Sequence, residues 1–204
     1  MGTSRFPPDR KPVLIVVAGP NGSGKTSMTN RILHHEWLEN SVYINPDIVA
    51  QERFGDWNSK VAIMQAVKYC EDWREKCLLE QKSLIFETVL SADDKVDYIE
   101  RAIQAGFFVR LFFVCTDSPT INAARIAGRV IKGGHDVPIT KIVDRYQKSI
   151  SNCKYLSRKV HRTYLYDNSI DGADASILIR YADGKIIKQY TDSMPRWATK
   201  IIEE

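Results

Sequence analysis

The chain has little of what marks a secreted, membrane-bound or fibrous protein. Its four cysteines, Cys70, Cys77, Cys115 and Cys153, form no C-x-x-C pair and no zinc spacing. That excludes a disulfide framework and reads as buried thiols in a reducing cytosol. No apolar run approaches the length of a bilayer crossing. Residues 1–11 carry Pro7 and Pro8 among charges without a signal-peptide core, and read as a flexible lead-in. A strong charge of one sign is also missing. The net charge of +4 over 204 residues suits a polyphosphate ligand without requiring nucleic acid. Repeats and low-complexity tracts are absent as well. These absences argue against a membrane or nucleic-acid partner and for a cytoplasmic location.

What is present is ordinary in bulk and specific in one place. Apolar residues make up 44% and charged residues 26%, as in globular proteins, and the length suits a single domain over residues 12–204. The specific place is Gly19-Pro20-Asn21-Gly22-Ser23-Gly24-Lys25-Thr26-Ser27, which fits G-x-x-x-x-G-K-[ST] directly after the apolar run Val13–Ala18. A strand, a glycine-rich loop and a helix make this a nucleotide-phosphate site. Gly22 and Gly24 allow positive φ and close approach of the backbone to phosphate. The loop N–H groups and the following helix N-terminus form an anion nest. Lys25 reaches the β- and γ-phosphates, and the Thr26 hydroxyl ligates Mg²⁺.

Further along, strands alternate with helices. Helices are expected over residues 25–38, 60–81, 94–105, 118–132 and 139–160, and strands over 42–44, 83–89, 107–115 and 163–166. Ile63, Val67, Cys70, Trp73 and Cys77 mark the core face of the long second helix, and Gly106 closes the next one. Asp183-Gly184, between two β-prone runs, signals a hairpin over residues 176–191, followed by a short terminal helix. Alternation of this kind implies a parallel sheet covered on both faces, with ligands beyond the carboxyl ends of the strands. Gly19, Asp47, Glu87, Thr116 and Asp167 then share one rim.

On that rim Glu87 ends the apolar strand Leu84-Ile85-Phe86 and is the nearest candidate for a Walker-B acid. Asp47, behind Pro46 at a strand-to-helix junction, is suited to take a proton from an acceptor hydroxyl, or else to cap a helix. Arg125 and Arg129 lie one helical turn apart, just before the Gly133-Gly134 break, where a lid over residues 119–160 would hinge. They are candidates for the charge on a transferred phosphoryl group, with Arg145 a weaker one. His135 is open to two readings, phosphate contact or support of the turn. The basic run Lys154, Arg158, Lys159, His161 and Arg162 reads as a solvated face.

Guanine-nucleotide switches need N-K-x-D after a strand, whereas Asp94-Lys95-Val96-Asp97 opens a helix. The L-S-G-G-Q of ABC motors is absent. A small kinase remains. The fold class expected is α/β, a P-loop kinase three-layer sandwich with a five-stranded mainly parallel sheet and a C-terminal β-hairpin.

Several pieces together resemble the zeta-toxin family, in its short, stand-alone branch. They are the run from Ala18 to Thr26, Asn45-Pro46-Asp47, Phe86-Glu87-Thr88-Val89-Leu90-Ser91, the Arg125/Arg129 helix, Gly133-Gly134-His135-Asp136-Val137-Pro138 and Tyr166-Asp167-Asn168-Ser169. Long-form zeta toxins phosphorylate the 3′-hydroxyl of the amino sugar in UDP-N-acetylglucosamine. The resemblance implies ATP or GTP as donor with Mg²⁺, Asp47 as base, and Glu87, Thr88 and His135 near the substrate. It also implies Arg129 on the γ-phosphate and an antitoxin protein as partner. Where the long forms carry a second lid arginine this chain offers His135, Arg125 or Arg145, and their uridine- and sugar-reading loops have no clear counterpart. Two alternatives therefore stand beside a nucleotide-sugar kinase. One is a kinase for another acceptor, such as a dinucleotide, metabolite or RNA end; the other is a nucleotide-binding regulatory ATPase.

Overall fold

Strand β1 (Val13–Ala18) is apolar throughout, and its residues from Leu14 on are fully buried. Successive side chains alternate between two cores: Leu14, Val16 and Ala18 enter the larger cluster, Ile15 and Val17 the smaller. A strand buried on both faces needs a layer on each side, and the computed structural model, which describes residues 11–33, 41–55, 59–131 and 137–203, supplies both.

The other strands are β2 (Val42–Ile44), β3 (Leu84–Thr88), β4 (Phe108–Cys115), β5 (Arg162–Asp167), β6 (Ser176–Ala182) and β7 (Lys185–Gln189). They form one seven-stranded sheet in the order β2-β3-β1-β4-β5-β6-β7. The first five in that order run parallel. The helices are α1 (Lys25–Ile32), α2 (Pro46–Phe54), α3 (Lys60–Leu79), α4 (Asp93–Gln104), α5 (Pro119–Ile131), α6 (Ile139–Ser157) and α7 (Arg196–Ile202). Helices α2, α3, α4, α6 and α7 feed the larger core, whereas Met28 and Ile32 of α1 feed the smaller one. The expected α/β three-layer sandwich is present.

Two details differ from the sequence expectation. The hairpin does not stand apart from a five-stranded sheet. Strand β6 pairs antiparallel with β5, Tyr164 opposite Arg180, and so the sheet has seven strands. The outer N–H and C=O groups of β5 thereby find partners. Asp183 and Gly184 both adopt positive φ, 48° and 78°, as a tight two-residue hairpin turn requires.

On α3 the buried stripe is Ala62, Ala66, Cys70, Cys77 and Leu78, with Arg74 laid over the Phe86 ring. Val67, expected in the core, is 40% exposed. Alanines let the helix sit close to the sheet, so the small residues and not the larger Val67 mark the contact. All four cysteines are buried and unpaired. Among the described residues no helix is long and apolar enough to cross a membrane. The lead-in, apart from Lys11, lies outside the described residues, as do Gly133, Gly134, His135 and Asp136.

Candidate active site

The loop between β1 and α1 is shaped by glycines that nothing larger could replace. Gly22 and Gly24 adopt φ of 77° and 96°. A Cβ on Gly22 would lie 2.7 Å from the Asn122 carbonyl oxygen, and one on Gly24 would strike Asn168 Nδ2. Gly24 is also the N-cap of α1 and brings no capping side chain. The first-turn N–H groups therefore remain available to an anion. Three other elements brace the loop. Asn122 of α5 donates from Nδ2 to the Asn21 carbonyl at 2.6 Å, and Asn168 after β5 donates to the Ser23 carbonyl at 2.8 Å. Arg145 of α6 reaches Asn21 Oδ1 at 3.4 Å. Asn122 is fully buried, and the Thr116 hydroxyl bonds to its Oδ1.

The Lys25 ammonium rests on the Gly19 and Pro20 carbonyls, each at 2.9 Å. Burial lowers its pKa to about 8; the Glu87 carboxylate resists that shift, Arg129 adds to it, and Asp47 resists it. These charged groups therefore lie within electrostatic reach of one lysine. Thr26 Oγ1 donates to Glu87 Oε2 at 3.1 Å. Glu87 holds that position because β3 pairs directly with β1, Glu87 opposite Val17. A carboxylate at a strand end against the loop hydroxyl is the placement expected of the Walker-B candidate. Its other oxygen accepts the Tyr43 hydroxyl at 2.7 Å.

Asp47 sits at the start of α2 with an exposed side chain. It is not the cap. Asn45 is, its Oδ1 accepting the Asp47 N–H at 2.9 Å. The Asp47 carboxylate is thus not spent on the cap, and its charge acts on both Lys25 and Tyr43. Thr88 spends its hydroxyl on a turn: Leu90 N–H donates to Thr88 Oγ1 at 2.9 Å, and Leu90, fully buried, is held at φ 58°. A non-glycine residue in that region stores strain beside the site.

Arg125 and Arg129 wall a cavity of about 220 Å³ together with Gly22, Gly24, Lys25, Thr26 and Ser27. Arg125 also grips the loop after β5, donating to the Asn168 carbonyl at 2.8 Å and lying 3.5 Å from Asp171. His135 falls outside the described residues. Three residues of the basic run are occupied within the chain: Lys159 on Glu100 at 2.5 Å, Arg162 on Asp183 at 3.2 Å, Arg158 on the Glu203 carbonyl at 3.2 Å. Sequence reasoning gave no role to Tyr43, Asn122 or Asn168. Only Asn168 carried a signal, as part of Tyr166-Asp167-Asn168-Ser169.

For a divalent ion the donor chemistry fits. Among the described residues there is no cluster of three or more His, Cys, Asp or Glu able to hold a metal. The Thr26 hydroxyl and Glu87 carboxylate are hard oxygen donors, the few-ligand set that suits Mg²⁺ completed by phosphate oxygens and water.

A mainly parallel sheet in this order, with a glycine cradle after β1 and an acid at the end of β3, defines an α/β protein of the P-loop kinase class. Its family follows from the sequence as a whole. The family model described as Zeta toxin matches residues 1–171, and the chain belongs to that family. An uncharacterized protein of Haemophilus influenzae is 26% identical over 132 residues, 65% of this chain and 91% of the relative. Among solved structures, the AvrRxo1-ORF1:AvrRxo1-ORF2 complex with sulphate ions gives a TM-score of 0.63 at 17% identity, covering 87% of this chain and 61% of that one. The same complex with ATP gives 0.62 at 19% identity, with 87% and 60% covered. The PezAT chromosomal toxin–antitoxin system of Streptococcus pneumoniae gives 0.60 at 19% identity, with 98% and 81% covered. The chain thus spans about 60% of the AvrRxo1-ORF1:AvrRxo1-ORF2 chain matched with ATP.

Proposed function

We propose that this protein is a phosphotransferase that moves the γ-phosphoryl group of ATP or GTP onto a hydroxyl of a small molecule. A nucleotide-sugar such as UDP-N-acetylglucosamine is the acceptor favoured by family membership. The observation that carries the reading is that Glu87 accepts from Thr26 of the loop while the charges of both Glu87 and Asp47 act on Lys25. The solved relative with ATP and the PezAT toxin–antitoxin system support ATP as donor and an antitoxin protein as partner.

In this reading the loop amides and Lys25 hold the β- and γ-phosphates, and Arg129, with Arg125 behind it, faces the transferred group. Mg²⁺, held by Thr26 and oriented by Glu87, would neutralise charge on the phosphate oxygens. Asp47 accepts the proton of the acceptor hydroxyl as its oxygen bonds to the γ-phosphorus. The bond from that phosphorus to the bridging oxygen breaks, and the nucleoside diphosphate leaves. Thr88 shapes the turn beside the acceptor.

The test is transfer of ³²P from labelled ATP to UDP-N-acetylglucosamine and then to a metabolite extract. Asp47→Ala is expected to lower transfer by about 10²–10⁴-fold while ATP still binds. Transfer undiminished by that change removes Asp47 as base. Transfer to an extract component and not to the sugar nucleotide reassigns the acceptor, and no acceptor-dependent transfer at all favours a regulatory ATPase.

A further inference from the structure

One side of the cleft is tied together by a continuous chain of side-chain hydrogen bonds. Thr26 Oγ1 donates to Glu87 Oε2 at 3.1 Å, and the Tyr43 hydroxyl donates to Glu87 Oε1 at 2.7 Å. Asn45 Nδ2 donates to the Tyr43 oxygen at 2.8 Å, and Asn45 Oδ1 accepts the Asp47 N–H at 2.9 Å. Tyr43 is the middle link.

The sheet register puts it there. Tyr43 pairs with Ile85, and Glu87, two residues further along β3, projects from the same face. Donor and acceptor inventories fix the direction of the chain. A carboxylate only accepts and a side-chain amide NH₂ only donates, so the phenol gives its one proton to Glu87 and receives from Asn45. Each Glu87 oxygen is therefore claimed by a separate partner, which leaves the carboxylate one orientation relative to the loop hydroxyl.

We propose that Tyr43 is a positioning residue that fixes the Glu87 carboxylate against Thr26, setting the affinity of the cleft for the divalent cation that accompanies the nucleotide. Through Asn45 it also joins that carboxylate to the turn bearing Asp47. The proposal rests on the phosphotransferase reading above. Outer partners that orient a ligand group typically change metal affinity by about 10–100-fold when removed. A purely packing role would be different. The ring already lies against the smaller core, and a phenylalanine would preserve that contact.

The experiment is calorimetric titration of Mg²⁺ into the whole protein with a non-hydrolysable ATP analogue. It is run on wild type, Tyr43→Phe, Glu87→Gln and the double variant, with nucleotide affinity also measured in EDTA. Tyr43→Phe is expected to weaken apparent Mg²⁺ affinity by about 10–100-fold with nucleotide affinity in EDTA unchanged. In the Glu87→Gln background the same change is expected to add less than about threefold, because the charged carboxylate that Tyr43 orients has gone. Unchanged Mg²⁺ affinity in Tyr43→Phe overturns the proposal while leaving the phosphotransferase reading intact, and so does an equal loss in both backgrounds. A wild-type protein whose nucleotide binding ignores Mg²⁺ overturns both. If Tyr43→Phe melts early, Asn45→Ser keeps a cap on α2 but removes the donor to Tyr43. It should lower Mg²⁺ affinity in the same direction, and no loss there also overturns the proposal.

Discussion

Two concave, charged regions of this molecule invite the same reading and differ in how their charges are partnered. The seam between α3 and α4 encloses about 450 Å³, against about 220 Å³ at the glycine loop, and carries more charged residues. In the seam opposite charges meet directly: Arg101 on Glu75 at 2.7 Å and on Asp97 at 2.9 Å, Lys68 on Asp72 at 2.7 Å. At the loop a buried ammonium rests on backbone carbonyls, with its pKa lowered to about 8. The seam has neutralised itself and gains little from a ligand. The loop holds a cation at a desolvation cost, and an incoming anion relieves it. Pocket size and charge count are therefore poor guides, and the way each charge is partnered is a good one.

The sharpest way to break this contrast is to remove the strained cation. Lys25→Met is expected to lower phosphoryl transfer by roughly 10²–10³-fold. In the wild type, nucleotide affinity should fall by up to about tenfold per unit as pH rises above about 8. The sign follows from the protonation state: above that pKa the free protein holds a neutral amine, which must take up a proton before it can pair with phosphate. The methionine variant should lose that slope, and a wild-type affinity flat from pH 7 to 9.5 would contradict the burial argument.

A smaller effect tests the bracing of the loop. Asn122→Ala deletes a fully buried amide and strands the Asn21 carbonyl, at an expected loss of about 1–3 kcal/mol. Urea unfolding reads it as a lower midpoint at unchanged slope. The smallest effect belongs to the seam. Arg101 is 40% exposed, so Arg101→Ala should cost no more than about 1 kcal/mol, shrink further in high salt and leave transfer unaltered. A larger cost than that of Asn122→Ala would invert the comparison.

Legibility in the sequence followed the range of the interaction. The cradle could be read because Gly22, Gly24, Lys25 and Thr26 act within a few residues of one another. The turn at Asp183-Gly184 could be read for the same reason. The docking of that hairpin onto β5 could not, because strand order is decided far from either partner. Nor could the braces: Asn122 meets Asn21 across 101 residues of chain, and Asn168 meets Ser23 across 145. A lone asparagine has no periodicity to betray it. Tyr43 was hidden by register, since its contact with Glu87 exists only when β2 lies beside β3. Periodicity on α3 pointed to Val67 because it weighs bulk, whereas close packing selected Ala62 and Ala66. Asp47 was open to two readings, and the capping alternative fell to a neighbour two positions earlier.

The seven-strand sheet carries a consequence remote from its chemistry. Without β6 and β7, the bare flank of β5 would offer Tyr164 and Tyr166 to any passing chain as a template for strand addition. The hairpin moves that flank outward to a five-residue strand bounded by Lys185 and carrying Lys188. Its short length and two lysines are edge features that limit strand addition, set against the exposed side chains of Ile186 and Ile187. The hairpin that follows the matched residues 1–171 thus decides which strand forms this edge of the sheet, β7 in place of β5.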